Sequence, residues 1–473
     1  MGFERGKRSV KIKAAKRKVK FAAEMKPKKG GSFMPEIQNP KEQLVAVMKR
    51  IYAQGMTTTS GGNLSIKDDE GNVYITPGGT DKGTMTAEDI VCIRADGTVE
   101  GKHKPSSEYP FHMKIYETRN DIRAILHAHP PAMVAYSIVR RIPDIAAYPE
   151  LKKRIGSVGM AEYGLTGSEE LGEKIAKVFA GGKNVAELEN HGLVVGSGDI
   201  WTAYQVFEAM DFSARIGIGA SRLAGVDKKL QQGDKKAAEN TAENEKNRTI
   251  LFEKTERSKE TGGALNIPAD IFAGVPQENV TVCGKLCAMV RRAWHQKLLY
   301  AGLGVFSVRT PDGSIYYIPE ETDQSAVTLE DIRMLDPDAD NLHAWIYRRH
   351  PEIQAVITAF PPELMAFAVT GTRFSSRIIP EIYMVMQDVV SLPQAEYGGK
   401  NRKIAEVFDE RTSVAVLERG GVIVTAPSLL KAYDRLEVAE YSAGAILKAS
   451  QLGNIVEITE KQVEEIKEQC HLK

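Results

Sequence analysis

Three histidines in the first half of the chain have the types and spacing of a metal site. His127 and His129 stand two apart in AILHAH (124–129), a short apolar run of strand character. On a strand, residues i and i+2 share a face, so two imidazoles are delivered side by side from a rigid element. His191 follows in Asn190-His191-Gly192, where glycine lets another backbone come close. Three histidines on one divalent ion, with a further position open, form the donor set of a catalytic zinc site. Glu108, in Pro105-Ser106-Ser107-Glu108, is the candidate carboxylate: a fourth ligand, a general base, or each in turn.

Three short loops suit an anion. Ser60-Gly61-Gly62-Asn63, Thr76-Pro77-Gly78-Gly79 and Ser106-Ser107 are rich in Gly, Ser, Thr and Asn. Glycine exposes backbone N–H groups. With hydroxyl and amide donors these make a cradle for a phosphate or a carboxylate. Ser107 adjoins Glu108, which sets the anion beside the metal.

The elements that must carry these groups alternate between helical and strand patterns. EQLVAVMKRIYAQG (42–55) has apolar residues at helical spacing and stops at Gly55. NLSIKDDEGNVYITP (63–77) alternates like a hairpin. EYPFHMKIYETR (108–119) and PPAMVAYSIVR (130–140) are helical, the second with prolines suited to a first turn. LENHGLVVGSG (188–198) is a strand-turn-strand unit, and DIWTAYQVFEAMDFSARIG (199–217) is a long amphipathic helix with Asp199 as N-cap. This order predicts a three-layer sheet-and-helix domain rather than a barrel.

The pattern occurs twice. ITPGGTDKGTMTAEDIVCI (75–93) matches YIPEETDQSAVTLEDIRML (317–335), and IYETRNDIRAILHAHPPAMVAYS (115–137) matches IYRRHPEIQAVITAFPPELMAFA (346–368). LENHGLVVGSGDIWTAYQVFEAMDFSA (188–214) matches LERGGVIVTAPSLLKAYDRLEVAEYSA (417–443). The order is collinear, so two homologous domains are expected. The second copy is an internal control. It has Thr358 and Phe360 for the histidine pair, Gly420 for His191 and Ala339 for Glu108. Joint loss of all four, with flanking apolar residues kept, marks them as one functional site that only the first copy retains.

The 473 residues carry a net charge of +1, which hides an asymmetry: residues 1–30 hold twelve Lys or Arg against Glu4 and Glu24. That arm reads as a solvated tail, as a segment for nucleic acid or another anionic surface, or as a targeting or encapsulation peptide. Residues 226–263 are charge-dense and read as a linker. No stretch reaches about 18 uninterrupted apolar residues, which argues against a membrane span. Four scattered cysteines make no disulfide framework and suggest a reducing, cytoplasmic setting. Cys283 and Cys287 have no second pair or histidine nearby in sequence to complete a zinc knuckle.

Read in order, GGNLS (61–65), TPGG (76–79), PSSE (105–108), HAH (127–129) and NHG (190–192) resemble the motif series of the class II aldolase/adducin family. The resemblance covers residues 40–220 and, in degenerate form, 280–450. Gly78 stands where a threonine is common in the fuculose aldolase type. The resemblance implies an α/β chain: two tandem three-layer α/β/α domains, each around a mainly antiparallel central sheet. The expected division is a basic arm (1–38), a catalytic domain (39–225), a linker (226–270) and a domain without metal (271–465). It implies one zinc-type or other divalent ion per chain on His127, His129 and His191, with Glu108 as ligand or proton carrier. Ser60, Gly61, Asn63, Gly78, Gly79, Ser106 and Ser107 would hold the phosphate of a small phosphorylated sugar.

The implied reaction makes or breaks a carbon–carbon bond in a ketose phosphate through a stabilised enediolate. An epimerase, dehydratase or decarboxylase on the same site, or a non-catalytic adducin-like scaffold, are the alternatives. Family members resemble fourfold tetramers with a tyrosine contributed by the neighbour. A homodimer forming a pseudo-tetramer of domains is therefore expected here. Tyr148 lies near that tyrosine's position and Tyr383 is its rough counterpart in the second repeat. In an alternating ring Tyr383 would reach the active site.

Overall fold

The computed structural model describes residues 37–223, 276–398, 400–453 and 455–472. The charged linker and all but residues 37–38 of the basic arm lie outside the described residues.

The first domain begins with α1 (Pro40–Ala53), capped by Asn39 and ended before Gly55. Then come β1 (Asn63–Lys67), β2 (Val73–Ile75), β3 (Val91–Ile93) and β4 (Val99–Glu100). They are followed by α2 (Tyr109–Thr118), β5 (Ala124–Ala128), α3 (Pro131–Ile138), α4 (Pro149–Ile155) and β6 (Val158–Ala161). The domain ends with α5 (Glu169–Ala180), β7 (Val185–Leu188), β8 (Gly192–Ser197) and α6 (Ile200–Leu223). Asp199 accepts from the Thr202 amide at 2.8 Å, the N-cap expected for α6. The sheet order is β4-β3-β2-β1-β5-β8-β7-β6, antiparallel except for β6–β7. Helices α4 and α5 and strand β6 add to the elements read from the sequence.

The second domain repeats this plan with α7 (Gln277–His295), β9 (Val305–Arg309), β10 (Ile315–Ile318), β11 (Arg333–Met334), α8 (Leu342–Arg349) and β12 (Ala355–Ala359). It continues through α9 (Pro362–Thr370), α10 (Pro380–Met386), β13 (Asp388–Leu392), α11 (Gln394–Tyr397) and α12 (Asn401–Ala405). It closes with β14 (Thr412–Leu417), β15 (Gly421–Ala426), α13 (Leu429–Leu452) and α14 (Glu460–Cys470). Its sheet runs β11-β10-β9-β12-β15-β14-β13.

Alternation along β5 sets the layers. Ala124, Leu126 and Ala128 face one core, and Ile125 faces another beneath α2 and α5. The first of these cores is continuous between the domains: Leu44, Phe207 and Phe212 share it with Tyr300, Met365 and Leu447. Polar contacts reinforce the junction. Arg50 forks onto Asp323 at 2.9 and 2.6 Å, and Glu208 accepts the Ala301 amide at 2.6 Å. No described helix is long and apolar enough to cross a membrane.

Candidate metal and anion site

β5 and the turn into β8 bring the three histidines together. Their ring centroids lie 4.8 Å (His127–His129), 4.8 Å (His127–His191) and 5.1 Å (His129–His191) apart. One nitrogen from each falls within 4.8 Å of the others. The Leu193 carbonyl accepts from His127 Nδ1 at 3.0 Å, which fixes the tautomer and leaves Nε2 with its lone pair. His127 Nε2 and His129 Nε2 are buried without a hydrogen-bond partner among the described residues. Buried polar atoms are rarely left so, and a divalent ion satisfies them. Burial, then the neighbouring imidazoles, pushes His129 down to about 3; burial and His127 take His191 down to about 4. The neutral, ligating form is the one present at neutral pH. The donor set fits a zinc-type ion.

Glu108 is the N-cap residue of α2 and is buried. Its oxygens stand 3.4 Å from His127 Nε2 and 3.6 Å from His191 Nε2. Burial raises its pKa, but the two imidazoles and the Asn63 amide outweigh that and hold it well below the usual carboxylate range.

Behind Glu108 runs a buried polar chain that no sequence motif announced. It has one consistent direction. Tyr116 donates to Ser65 Oγ at 2.7 Å, Ser65 donates to His112 Nδ1 at 2.7 Å, and His112 Nε2 donates to Asn63 Oδ1 at 2.6 Å. Asn63 Nδ2 then donates to Glu108 Oε2 at 2.8 Å. Each member is satisfied, so the carboxylate is held from behind with its other oxygen unpartnered. The second domain keeps Tyr347, Ser307 and His343 in the same relation but ends the chain on Thr358, the counterpart of His127.

The glycine loops close on this group. A Cβ on Gly61 would lie 3.1 Å from His129 Nδ1, and one on Gly62 (φ +72°) 2.8 Å from the His127 carbonyl. Only glycine lets this loop lie against the histidine strand. Gly78 packs over Pro105 and Ser106, where Pro77 and Pro105 form a β-bridge. Ser60, Ser107, Gly78 and Gly79 are exposed at the mouth, and Asn63 and Ser106 are buried behind it.

Two residues join the cradle that sequence alone did not single out. Thr57 Oγ1 is buried without a partner and would sit 3.1–3.2 Å from a Cβ on Gly61 or Gly62. Lys82 is 1% exposed; its amide donates to the Thr59 carbonyl at 2.9 Å and its Nζ to the Pro77 carbonyl at 2.7 Å. It ties two anion loops together, and burial pushes its amine down to about 8.

The second domain fills this space. Glu320 and Glu321 stand where the first has Gly78 and Gly79, and Glu321 keeps the positive φ of Gly79 at +66°. Glu320 accepts the Gly304 amide at 3.5 Å, so a side-chain carboxylate lies where the first domain has its open glycine loop.

The tyrosines need correction. Tyr148 is the N-cap residue of α4 and packs not on its own domain's histidines but on Phe360 of the second domain, ring centroids 5.2 Å apart. Phe360 is the counterpart of His129. Tyr383 is not the counterpart of Tyr148. Pro149 and Pro380 both open their helices, so the N-cap equivalent of Tyr148 is Ile379. Tyr383 lies one turn on, fully buried, with its hydroxyl lacking a partner among the described residues. The constant offset that pairs His127 with Thr358 and His129 with Phe360 also pairs Tyr148 with Ile379.

Known proteins match the chain over about one domain's length. Over 183 residues the chain is 34% identical to 5-deoxy-D-ribulose 1-phosphate aldolase of Bacillus thuringiensis, covering 38% of this chain and 84% of that protein. It is 33% identical over 176 residues to L-fuculose phosphate aldolase of Methanocaldococcus jannaschii, covering 37% and 94%. It is 29% identical over 180 residues to 3-oxo-tetronate 4-phosphate decarboxylase of Haemophilus influenzae, covering 37% and 85%. Among solved structures, an L-fuculose 1-phosphate aldolase aligns at 33% identity with a TM-score of 0.34, covering 39% of this chain and 87% of that one. The family model of the class II aldolase and adducin N-terminal domain matches residues 42–218 and again 284–447. The chain belongs to the class II aldolase and adducin family and carries its domain twice in tandem.

Proposed function

We propose that the first domain is a carbon–carbon lyase acting on a small ketose phosphate, and that the second is a metal-free copy retained as architecture. The observation that carries this is Glu108, held between His127 and His191 beside the glycine loops with one oxygen free of hydrogen bonds among the described residues. A divalent ion on His127, His129 and His191 would supply Lewis-acid polarisation of the ketose carbonyl.

The chain's own residues do the rest. Thr57, Gly61, Gly62, Gly78 and Gly79 line a pocket of hydroxyl and amide donors for the phosphate, with Lys82 behind it as the compensating charge. Ser60, Ser106 and Ser107 complete its rim. With the phosphate fixed there, the reacting carbons lie toward Glu108. In the cleavage direction the hydroxyl next to the breaking bond gives up its proton as that bond's electrons pass toward the carbonyl. Glu108 is the group placed to carry that proton and return it to the ketose fragment. The polar chain from Tyr116 to Asn63 keeps the carboxylate aimed throughout. Four free cysteines, three of them buried, fit a reducing cytoplasmic setting.

The test is aldehyde release from a panel of ketose 1-phosphates and 5-phosphates, with and without chelator. Chelator-sensitive aldehyde release is expected. Carbon dioxide release from a 3-oxo acid phosphate in place of aldehyde would assign the decarboxylase reaction instead, and stoichiometric metal absent from the purified protein would assign a scaffold.

A further inference from the structure

The loop 320–324 of the second domain inverts the charge of its counterpart. In the first domain Gly78-Gly79-Thr80-Asp81-Lys82 holds one acid and one base, and the base is buried with its ammonium on the Pro77 carbonyl. In the second, Glu320-Glu321-Thr322-Asp323-Gln324 holds three acids and no base. The backbone path is kept, since Gly79 and Glu321 share a φ of +66°. The ammonium is lost and carboxylates stand in its neighbourhood.

Two of these acids are answered by arginines of the first domain. Asp323 takes the fork of Arg50, and Glu321 lies 4.0 Å from Arg154 of α4. Glu320 has no such partner. Among the described residues it accepts only the Gly304 amide, at 3.5 Å. Burial pushes its carboxyl up to about 7; the Gly304 amide and the more distant Arg154 pull it down, and Glu150 of α4 and the adjacent Glu321 add to the rise. A positive charge in contact is what this carboxylate lacks.

Two buried oxygens without partners lie around it. Gln324 is 2% exposed; its amide nitrogen donates to the Leu303 carbonyl at 2.9 Å, and its Oε1 has no partner among the described residues. Glu320 and Gln324 therefore both lean on the turn 303–304. That turn lies against β12: a Cβ on Gly304 would stand 2.9 Å from the Thr358 carbonyl and 3.6 Å from the Ala359 Cα. Phe360 follows directly. On it packs Tyr148, 1% exposed, with its hydroxyl unpartnered among the described residues. Burial and then the charge of Glu320 hold that phenol well above its ordinary value.

A buried amide oxygen and a buried phenol without partners are costly to leave so. With the second oxygen of Glu320 they make three acceptors. Three acceptors, one of them charged, match the three N–H donors of a primary ammonium group. The same carboxylates repel an anion, and a cation without N–H groups leaves both buried oxygens unsatisfied.

We propose that Glu320, Gln324 and Tyr148 form a binding site for the primary ammonium group of a small amine, where the first domain has its open glycine loop. Glu320 and Gln324 belong to the second domain and Tyr148 to the first, so the bound amine fastens one domain to the other. This stands whichever bond the first domain breaks.

Urea denaturation of the zinc-loaded full chain reads the binding, because a ligand held only by the folded state raises the midpoint as its concentration rises. Methylammonium is the probe. Tetramethylammonium, of equal charge but without N–H donors, makes up constant chloride. The midpoint is expected to climb with methylammonium and to stay level with tetramethylammonium or potassium. The dissociation constant drawn from the climb is expected to weaken about tenfold or more in Glu320→Gln and in Tyr148→Phe. Tyr148→Phe keeps the ring on Phe360 and removes only the hydroxyl, so it decides the matter alone where Glu320→Gln does not fold. No climb in wild type, an equal climb with potassium or tetramethylammonium, or a climb unchanged by the substitutions would each overturn the proposal.

Discussion

In the proposed reaction Glu108 and Lys82 serve different ends of one substrate, and their substitutions separate the ends. Glu108→Gln keeps the shape and the Asn63 contact but cannot carry a proton. We expect turnover to fall about 10²–10⁴-fold, the usual worth of a positioned acid–base group, while metal analysis still finds one ion per chain. Parallel loss of metal would make Glu108 a ligand. Lys82→Gln installs the residue the second domain has at Gln324, whose amide reaches the Leu303 carbonyl. Affinity for inorganic phosphate, read by calorimetry, is expected to weaken about tenfold, roughly 1.4 kcal/mol, with a smaller change in kcat. A changed kcat at unchanged phosphate affinity would place the lysine elsewhere in the reaction.

At the scale of elements, the histidine strand is shaped by its neighbours. Gly62 sits at φ +72° with no room for a Cβ against the His127 carbonyl. Gly62→Ala is expected to cost about 1–3 kcal/mol and to lower metal retention on dialysis, because relief comes only by moving β5. Strand β7 carries a second constraint. Glu187 is fully buried among the apolar residues beside Val185, with both oxygens unpartnered, and burial raises its pKa to about 9. The folded state holds a proton that the unfolded chain releases above its ordinary value of 4.5. Stability contributed by this group therefore falls as pH rises from there toward 9. Glu187→Gln should gain little at pH 5 and on the order of 3 kcal/mol at pH 8, read by urea denaturation at the two values. An equal effect at both would mean the carboxyl is ionised throughout.

At the scale of the whole molecule, one apolar core runs through both domains, so the copies are expected to unfold in a single transition. Arg50, with its side chain 15% exposed, is the polar clasp of that junction. Arg50→Ala leaves Asp323 without its guanidinium and uncovers Trp201 and Tyr204. The expected loss is about 2–4 kcal/mol in urea denaturation, with the histidine site still loading metal. Two separated transitions in wild type would show that the shared core does not couple the domains.

The sequence by itself determined the duplication and the alternation of strand and helix, and it singled out the candidate metal and anion groups. Those signals are local: the i, i+2 spacing of His127 and His129 fixes a common face whatever lies around it, and the second copy shows which groups vanish together. The same comparison held the signal for the support of Glu108. Ser65, His112 and Tyr116 recur as Ser307, His343 and Tyr347, and persistence in the copy without the histidine triad marks them as part of the fold. Only the tertiary structure decided what depends on distant segments meeting. It brought Lys82 and Thr57 to the glycine loops, put Glu320 on the Gly304 amide, and set Tyr148 on Phe360 of the second domain. Contacts across a junction are set by the packing of whole helices brought together from distant segments, which local spacing does not encode.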